Sequence, residues 1–377
     1  ILIPIFDIRD YKNLKFKIFL ISNEKIKIYP KSLKSYFKYF TILKENDIIL
    51  KNCSIFFLDD QNNEVVFEDF DLKEVFFNNK HKIEANFNFS NKKVKLKFTN
   101  KIKGEKKLHI DVPGIDTYLS AIFEPTSTLD EATGKSQIKL SSNILTLNFK
   151  TKNKLKIYQS FLRNKFLNSK ISGEISFLDN FFFDLNLDIN QINLRKFLLY
   201  YLPADKNYSL LSSGISKKIN GKFEIFSKNI NSFVGRVNNT KMSLIFENGD
   251  IKIENGSAIL QQDSKIDFNF LLSGSHKEPF LDFSLNFYLN NADKFLRKFN
   301  IYNFSEKKTS LFLDGKIDLT KNTIKLKNFI KDNREKFDRR DILDLEKNFN
   351  EFVLDKNILG ITDFFRLKKF IQETIGQ

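Results

Sequence analysis

The chain has 377 residues, of which 41% are hydrophobic, and it carries a formal net charge of +16. This length and hydrophobic fraction allow a sizeable ordered core and exclude an intrinsically disordered chain. Nearly all of the positive charge is Lys, spread singly along the sequence. Dense Arg-rich or aromatic-interleaved blocks are missing, so we expect no nucleic-acid partner.

The chain opens on the apolar hexamer ILIPIF, residues 1–6. This hexamer has two interpretations, the end of a truncated membrane anchor or an ordinary first strand. No later run reaches the roughly 18 apolar residues of a membrane-spanning helix. The one cysteine, Cys53, cannot form an internal disulfide.

Strict alternation of apolar and polar residues is the dominant pattern, as in KIEANFNFSNKKVKLKF, residues 82–98. Successive side chains of a strand point to opposite faces, so each such run has one apolar face. Strands are predicted in this way at 83–89, 94–98, 145–149, 155–157, 181–189, 223–225, 242–246, 251–253, 266–272, 281–289, 311–319 and 324–326.

Short polar breaks separate these runs, as hairpin turns do. Examples are SNKK (90–93), KTKNK (150–154) and ENGD (247–250). The pattern predicts a long antiparallel meander.

Two internal repeats interrupt the meander. In LNLDINQINLRKFLLYY (185–201) and LNFYLNNADKFLRKF (285–299) a strand leads into a short amphipathic helix, with Asn193 and Asp293 as predicted N-caps. Residues 108–124 form a weaker copy. A second repeat places Gly173, Gly221 and Gly315 at strand starts, where Gly permits a bulge or a tight bend.

Beyond residue 330 the apolar period becomes helical. One stripe contains Leu345, Phe349, Phe352 and Val353, and a second lies within TDFFRLKKFIQETI, residues 362–375. The sequence therefore predicts two C-terminal helices. The second could rest on an anionic membrane surface through its basic residues, or the helices could pack against the end of the sheet.

No catalytic, cofactor or metal site is predicted. The segment around Gly134-Lys135-Ser136 has Leu129 where a phosphate-binding loop needs Gly, and alternation follows it instead of a helix. The three histidines are far apart in the sequence, and the carboxylate pairs lack the spacing of a calcium loop. We therefore expect a protein that is not an enzyme.

The apolar faces require a cover. At roughly 25 cal/mol per Å², one exposed Phe face of about 100 Å² forfeits about 2.5 kcal/mol. A second sheet, helices or acyl chains could supply the cover, and the predicted helices are too few. Periodicity alone leaves a closed sandwich and a lipid-filled gutter both open.

Three stretches resemble the AsmA-like family of bacterial envelope proteins, which are related to bridge-like lipid-transfer proteins. They are IILKNCSIFFLDDQNNEVVFEDFDLKEVFF (48–77), FFFDLNLDINQINLRKFL (181–198) and FLDFSLNFYLNNADKFLRKF (280–299). The opening LIPIFDIRDYK also resembles the end of that family's N-terminal anchor. The likeness spans most of residues 1–328 and does not extend to the helical tail.

The resemblance implies a mainly β fold, in which a long curved antiparallel sheet forms an apolar groove (β-taco-like), with short interspersed helices and a helical C-terminus. It implies a groove domain over 1–328 and a helical segment over 329–377. Such a protein is anchored in the inner membrane, lies in the periplasm, and carries phospholipid or another acyl lipid or influences outer-membrane assembly.

The predicted lipid-binding residues are the alternating apolar side chains. They are Phe87, Phe89, Val94, Leu96, Phe98, Leu145, Leu147, Phe149, Phe183, Leu185, Leu187, Phe223, Ile225, Leu244, Phe246, Phe268, Phe270, Phe283, Leu285, Phe287, Leu313 and Ile317. The alternatives are a structural or adhesive β-protein with a closed core and an outer-membrane β-barrel. The absence of Trp for interfacial girdles and the helical C-terminus disfavour the barrel.

Overall fold

A computed structural model gives the fold. It describes residues 2–6, 16–28, 47–58, 64–77, 80–89, 91–101, 104–125, 131–176, 181–194, 196–197, 219–232, 235–260, 264–273, 279–302, 308–332, 335–355, 360 and 363–375.

The chain forms two compact units, Ile1–Lys152 and Asn153–Gln377. This division differs from the predicted boundary at 328/329, which falls inside a strand of the second unit. The C-terminal helices belong to the second unit.

The first unit is a sheet of successive strands. Their bounds are β1 (Leu2–Phe6), β2 (Phe16–Ser22), β3 (Lys25–Ile28), β4 (Asp47–Leu58), β5 (Glu64–Phe77), β6 (Lys80–Phe89), β7 (Lys92–Lys101), β8 (Lys106–Val112), β9 (Thr117–Phe123), β10 (Ala132–Leu140) and β11 (Asn143–Thr151). From β4 to β11 each strand pairs antiparallel with the next.

The second unit continues the same plan. Its strands are β12 (Leu155–Arg163), β13 (Leu167–Ser176), β14 (Phe182–Asn193), β15 (Asn220–Ser232), β16 (Gly235–Glu247), β17 (Asp250–Ile259), β18 (Lys265–Ser273), β19 (Phe280–Leu289), β20 (Thr309–Asp318), β21 (Thr323–Lys331) and β22 (Glu335–Lys336). Its helices are α1 (Ala292–Leu296), α2 (Arg339–Phe349) and α3 (Phe364–Ile375). Within the described ranges, no helix is both long and apolar enough to cross a membrane.

The predicted mainly β fold with short helices and a helical C-terminus is confirmed. The pairing is mixed instead of purely antiparallel. β2 and β3 each pair parallel with β4, and β14 pairs parallel with β15. A parallel pair needs a long connection, which the chain between Asn193 and Asn220 supplies for β14 and β15.

Several strands carry bulges at residues with left-handed backbone. Asn52 (φ 48°) and Asn255 (φ 53°) are examples inside β4 and β17. Asp71 Oδ1 accepts the Asn52 N–H at 2.9 Å, and Asn269 Oδ1 accepts the Asn255 N–H at 2.9 Å. Asn tolerates this conformation, and each bulge bends and twists its strand.

The predicted turn at 247–250 is confirmed, since β16 runs into β17 as a tight hairpin. The predicted turn at 90–93 begins at Ser90, which lies outside the described residues, and β6 and β7 pair antiparallel from Phe89 and Lys92 onward. Asn193 caps a helical turn, with its Oδ1 3.0 Å from the Lys196 N–H. At α1 the predicted cap Asp293 was wrong. Asn291 occupies the cap and accepts the Lys294 N–H at 2.8 Å, because α1 begins one residue before Asp293.

Residues 108–124 do not repeat the strand–helix unit. β8 and β9 form a hairpin there, joined by the 3-10 turn Pro113–Ile115. Residues 2–6 form β1, which pairs antiparallel with β2.

Candidate apolar binding face

Each unit has one face on which apolar residues form continuous rows across neighbouring strands. In the second unit, directly paired residues define this second apolar face from β12 to β21. The first row is Leu155, Ile175, Phe183, Gly221, Phe246, Ile251, Leu272, Leu281, Ile317 and Ile324. The next row is Ile157, Gly173, Leu185, Phe223, Leu244, Ile253, Phe270, Phe283, Gly315 and Leu326.

The first apolar face belongs to the first unit and runs from β4 to β11. One row is Leu50, Leu72, Ala85, Leu96, Ile110, Leu119, Ile138 and Leu145. The adjacent row is Ile48, Glu74, Ile83, Phe98, Leu108, Ala121, Ser136 and Leu147. The rows exist because strict alternation in each strand meets an in-register neighbour on both sides.

All the predicted site residues lie on these two faces. Those that are buried are Val94, Leu147, Phe149, Phe183, Leu185, Phe283 and Ile317. Phe89 is 43% exposed. The remainder are half-buried: Phe87, Leu96, Phe98, Leu145, Leu187, Phe223, Ile225, Leu244, Phe246, Phe268, Phe270, Leu285, Phe287 and Leu313.

On these faces, aromatic rings of one strand pack in the space above glycines of the neighbouring strand. Phe183 reaches Phe223 with ring centroids 4.7 Å apart and Phe246, two strands away, at 5.6 Å. Gly221 lies between them, and a Cβ there would come within 2.5 Å of the Phe183 ring. Gly256 accommodates Phe268 in the same way. The repeated glycines were expected to serve bulges or bends, and Gly221 instead provides room for a neighbouring ring.

The first C-terminal helix and the turn that follows it cover one end of the second apolar face. We call residues 339–354, which comprise α2 and the following π-helical turn, the helical cap. Leu354 is 1% exposed and packs with Phe283, Ile317 and Ile324. The helical cap thus packs on the end of the sheet. The second C-terminal helix, α3, was predicted to rest on a membrane surface or to pack on the sheet, and it packs on the helical cap and on the turn that follows α1.

The helical cap also bonds to the backbone of β21. Asn350 Oδ1 accepts the Ile324 N–H at 2.8 Å, and Glu346 Oε1 accepts the Leu326 N–H at 2.6 Å. A rise of about 6 Å between helix positions i and i+4 matches the spacing of alternate strand residues. The two side chains therefore satisfy consecutive outward N–H groups of this strand, as a further strand would.

Away from the helical cap, the apolar rows receive less cover. Phe223, Leu244, Ile251 and Ile253 in the second unit remain half-buried. In the first unit, every residue of the row from Leu50 to Leu145 except Ala85 is half-buried. The ring contacts on these faces join residues of the same sheet. The faces can therefore bury further hydrocarbon at about 0.8 kcal/mol per methylene.

The opposite face of each sheet is polar and carries ion pairs. Glu84 accepts a hydrogen bond from Lys82 Nζ at 2.7 Å, and this bond lowers the pKa of the Glu84 carboxyl. Lys222 pairs with Glu224, and this hydrogen bond raises the pKa of the Lys222 ammonium. Exposed pairs of this kind add little stability and keep this face solvated.

Four polar residues that the sequence did not single out lie on the first apolar face. His81, Asn100 and Lys106 are directly paired neighbours at one end of β6, β7 and β8. Glu74 Oε1 lies 2.5 Å from His81 Nε2. Sequence alternation gave no signal for Glu74, because KEVFF in β5 has apolar residues on both faces.

Within the described ranges, no group of three or more His, Cys, Asp or Glu side chains could hold a metal ion. No protein-family model, curated protein or solved structure matches this chain. The proposed function is based on the apolar rows, their half-buried side chains and the four polar residues at the edge of the first apolar face. We call these four residues, Glu74, His81, Asn100 and Lys106, the polar rim.

Proposed function

We propose that this protein is a non-enzymatic lipid-binding or lipid-transfer protein that holds acyl chains on its apolar faces. The observation that carries the proposal is the set of predominantly apolar rows, which cross neighbouring strands while most of their side chains stay half-buried. A bound acyl chain would bury the remaining exposed surface of these side chains without directional bonds. The selectivity of the protein among acyl lipids would therefore depend on the width of the apolar face.

The resemblance to the AsmA-like family supports the same proposal and adds a location. On that basis we propose that the protein works in the envelope of a Gram-negative bacterium, held at the inner membrane with its sheets in the periplasm. Phospholipid is the corresponding cargo.

The first test is the lipid content of the purified full chain, by native mass spectrometry and by organic extraction. We expect copurifying acyl lipid that survives gel filtration. Protein that is consistently free of lipid, and that also fails to take up a fluorescent fatty acyl probe, would contradict the proposal.

A matched pair of variants locates the site. Leu244 lies on the second apolar face, whereas Ile245, its neighbour in β16, points to the opposite face. We expect Leu244→Gln to lower acyl-probe affinity about tenfold, which corresponds to loss of about 1.4 kcal/mol of apolar contact. Ile245→Gln should leave the affinity unchanged, and circular dichroism must show that both variants remain folded.

A further inference from the structure

We infer that the polar rim of the first apolar face is the binding site for the phosphate of an acyl lipid's headgroup, with Lys106, Asn100 and His81 as its donors. This inference rests on the proposed function and adds the headgroup chemistry and the orientation of the ligand.

The placement of the three side chains follows from strand register. His81 pairs with Asn100, and Asn100 pairs with Lys106, so the three point to one face. His81 is the second residue of β6 and Lys106 the first of β8. The trio therefore lies at the edge of the face, where a polar headgroup can stay hydrated while its chains lie on apolar rows.

The trio is continuous with the apolar surface. The His81 ring meets the Phe98 ring with centroids 6.0 Å apart, and Lys106 pairs directly with Phe123. The aliphatic stem of Lys can lie along such a surface while the ammonium reaches the rim. Apolar residues of β6 and β7 then extend from the rim toward the far end of each strand, ending at Phe87, Phe89 and Val94.

The length of this strip suits one acyl chain. From His81 to Phe89 the strand extends roughly 26 Å, taking about 3.3 Å per residue. Half of a bilayer's hydrocarbon core, which is the depth that one chain fills, is about 15 Å. An acyl chain that starts at the polar rim is therefore shorter than the apolar surface of β6 and β7 on which it would lie.

The chemistry of the donors favours phosphate. From three adjacent strands about 4.8 Å apart, Lys106 supplies an ammonium and Asn100 an amide NH₂. His81 supplies Nδ1–H in its imidazolium form, because Glu74 takes the hydrogen bond from Nε2. Donors on three strands suit a tetrahedral group with several oxygens better than a planar carboxylate with two. Glu74 accepts from the imidazole at Nε2 and so orients the His81 ring.

Lys107 provides a matched control, because it follows Lys106 directly and points to the opposite face. Its side chain is 55% exposed and pairs with Glu105 at 3.1 Å. Lys106→Gln and Lys107→Gln remove the same charge from adjacent positions. An effect of net charge alone would therefore change the lipid affinity of both variants equally.

The test is calorimetric titration of the full chain with dioctanoyl phosphatidylglycerol, with dioctanoylglycerol, which lacks the phosphate, and with octanoate. We expect the wild type to bind the phosphate lipid about three- to tenfold more tightly than dioctanoylglycerol. Lys106→Gln should remove that difference and leave dioctanoylglycerol binding intact, while Lys107→Gln should preserve it.

The outcomes separate the two proposals. Equal affinity of the wild type for both dioctanoyl lipids would overturn the headgroup site and leave lipid binding standing. A Lys106 dependence as large for octanoate as for the phosphate lipid would overturn the choice of phosphate. Absence of binding to all three probes would overturn the proposed function and the headgroup site together.

Discussion

The ring of Phe183 lies directly over Gly221 on the parallel neighbouring strand, in the space that a Cβ at position 221 would occupy. This contact lets Phe183 meet Phe246 across an intervening strand. One glycine thus joins the aromatic packing of three strands.

Gly221→Ala should destabilise the second unit by about 1–3 kcal/mol. The added methyl group would clash with the Phe183 carbonyl oxygen and with the Phe183 ring, which it would meet at 2.5 Å, and the backbone φ of +155° at this position favours glycine. Gly114→Ala is the comparison, since its Cβ would meet only Lys92 Cδ at 4.0 Å. Urea unfolding followed by circular dichroism measures both. Adding Phe183→Leu to Gly221→Ala should recover part of the loss, and a double variant as unstable as the sum of the two would contradict this account.

Glu346→Ala and Asn350→Ala should each cost about 1–3 kcal/mol, because each leaves a partly buried N–H of β21 without its acceptor. The amides of Leu326 and Ile324 should also exchange faster with deuterium. Asp344→Ala, on the exposed side of α2, should change neither quantity. Unchanged exchange at Leu326 in Glu346→Ala would show that the helical cap does not protect this strand.

The turn between β20 and β21 should respond to acid. Hydrogen bonds from the Thr320 hydroxyl and from the Lys321 and Thr320 N–H groups lower the pKa of Asp318 to about 2. Because this folded-state pKa lies below the ordinary value of 3.8, the carboxylate stabilises the fold above pH 4. This contribution is lost as the pH falls from about 4 through about 2.

Asp318→Asn should therefore be less stable than the wild type by about 1 kcal/mol at pH 7 and should approach it near pH 2. Urea midpoints measured across this range test the expectation. A stability gap for Asp318→Asn that stays constant from pH 7 to pH 2 would exclude the proposed role of the charge.

The single cysteine permits a labelling experiment. Cys53 is 0% exposed and its thiol donates to the Lys51 carbonyl at 3.4 Å, so it should resist thiol reagents in the folded protein. Cysteines introduced at Leu187, on the second apolar face, and at Asp188, on the polar face, should both react. Added acyl lipid should slow labelling at 187 on the order of tenfold, since covered thiols ionise less readily.

The rate at 188 should not change when lipid is added. Equal slowing at both positions would indicate a general effect of the lipid on the protein. Equal rates with and without lipid at 187 would argue against an acyl chain on this face.

Strict alternation was sufficient to assign the predicted site residues to the apolar face of their strands. In β7, the alternation in KKVKLKF predicts that Val94, Leu96 and Phe98 lie on the same face of the strand. The observed pairing with β6 confirms this. Where both faces of a strand are apolar, as in β5, alternation is uninformative. The position of Glu74 on the apolar face became clear only from its pairing with Ile83.

The bulges and the parallel pair were outside what periodicity predicts. A left-handed residue such as Asn52 or Asn255 shifts the register of its strand while the residue type remains common in turns. The parallel pairing of β14 and β15 depends on which neighbour the second strand meets after a long connection. The alternation of apolar and polar residues within a strand does not predict which strand becomes its neighbour.

That parallel pair also sets the order in which the second unit can assemble. Apart from β19 and β20, which are connected through α1, the other paired strands among β12 to β21 are close in sequence, so loop closure for each hairpin costs little entropy and proceeds quickly. Joining β14 to β15 requires closing the whole segment from Asn193 to Asn220. Refolding should therefore form the hairpins with short turns early, with the pairing of β14 to β15 as a slow phase.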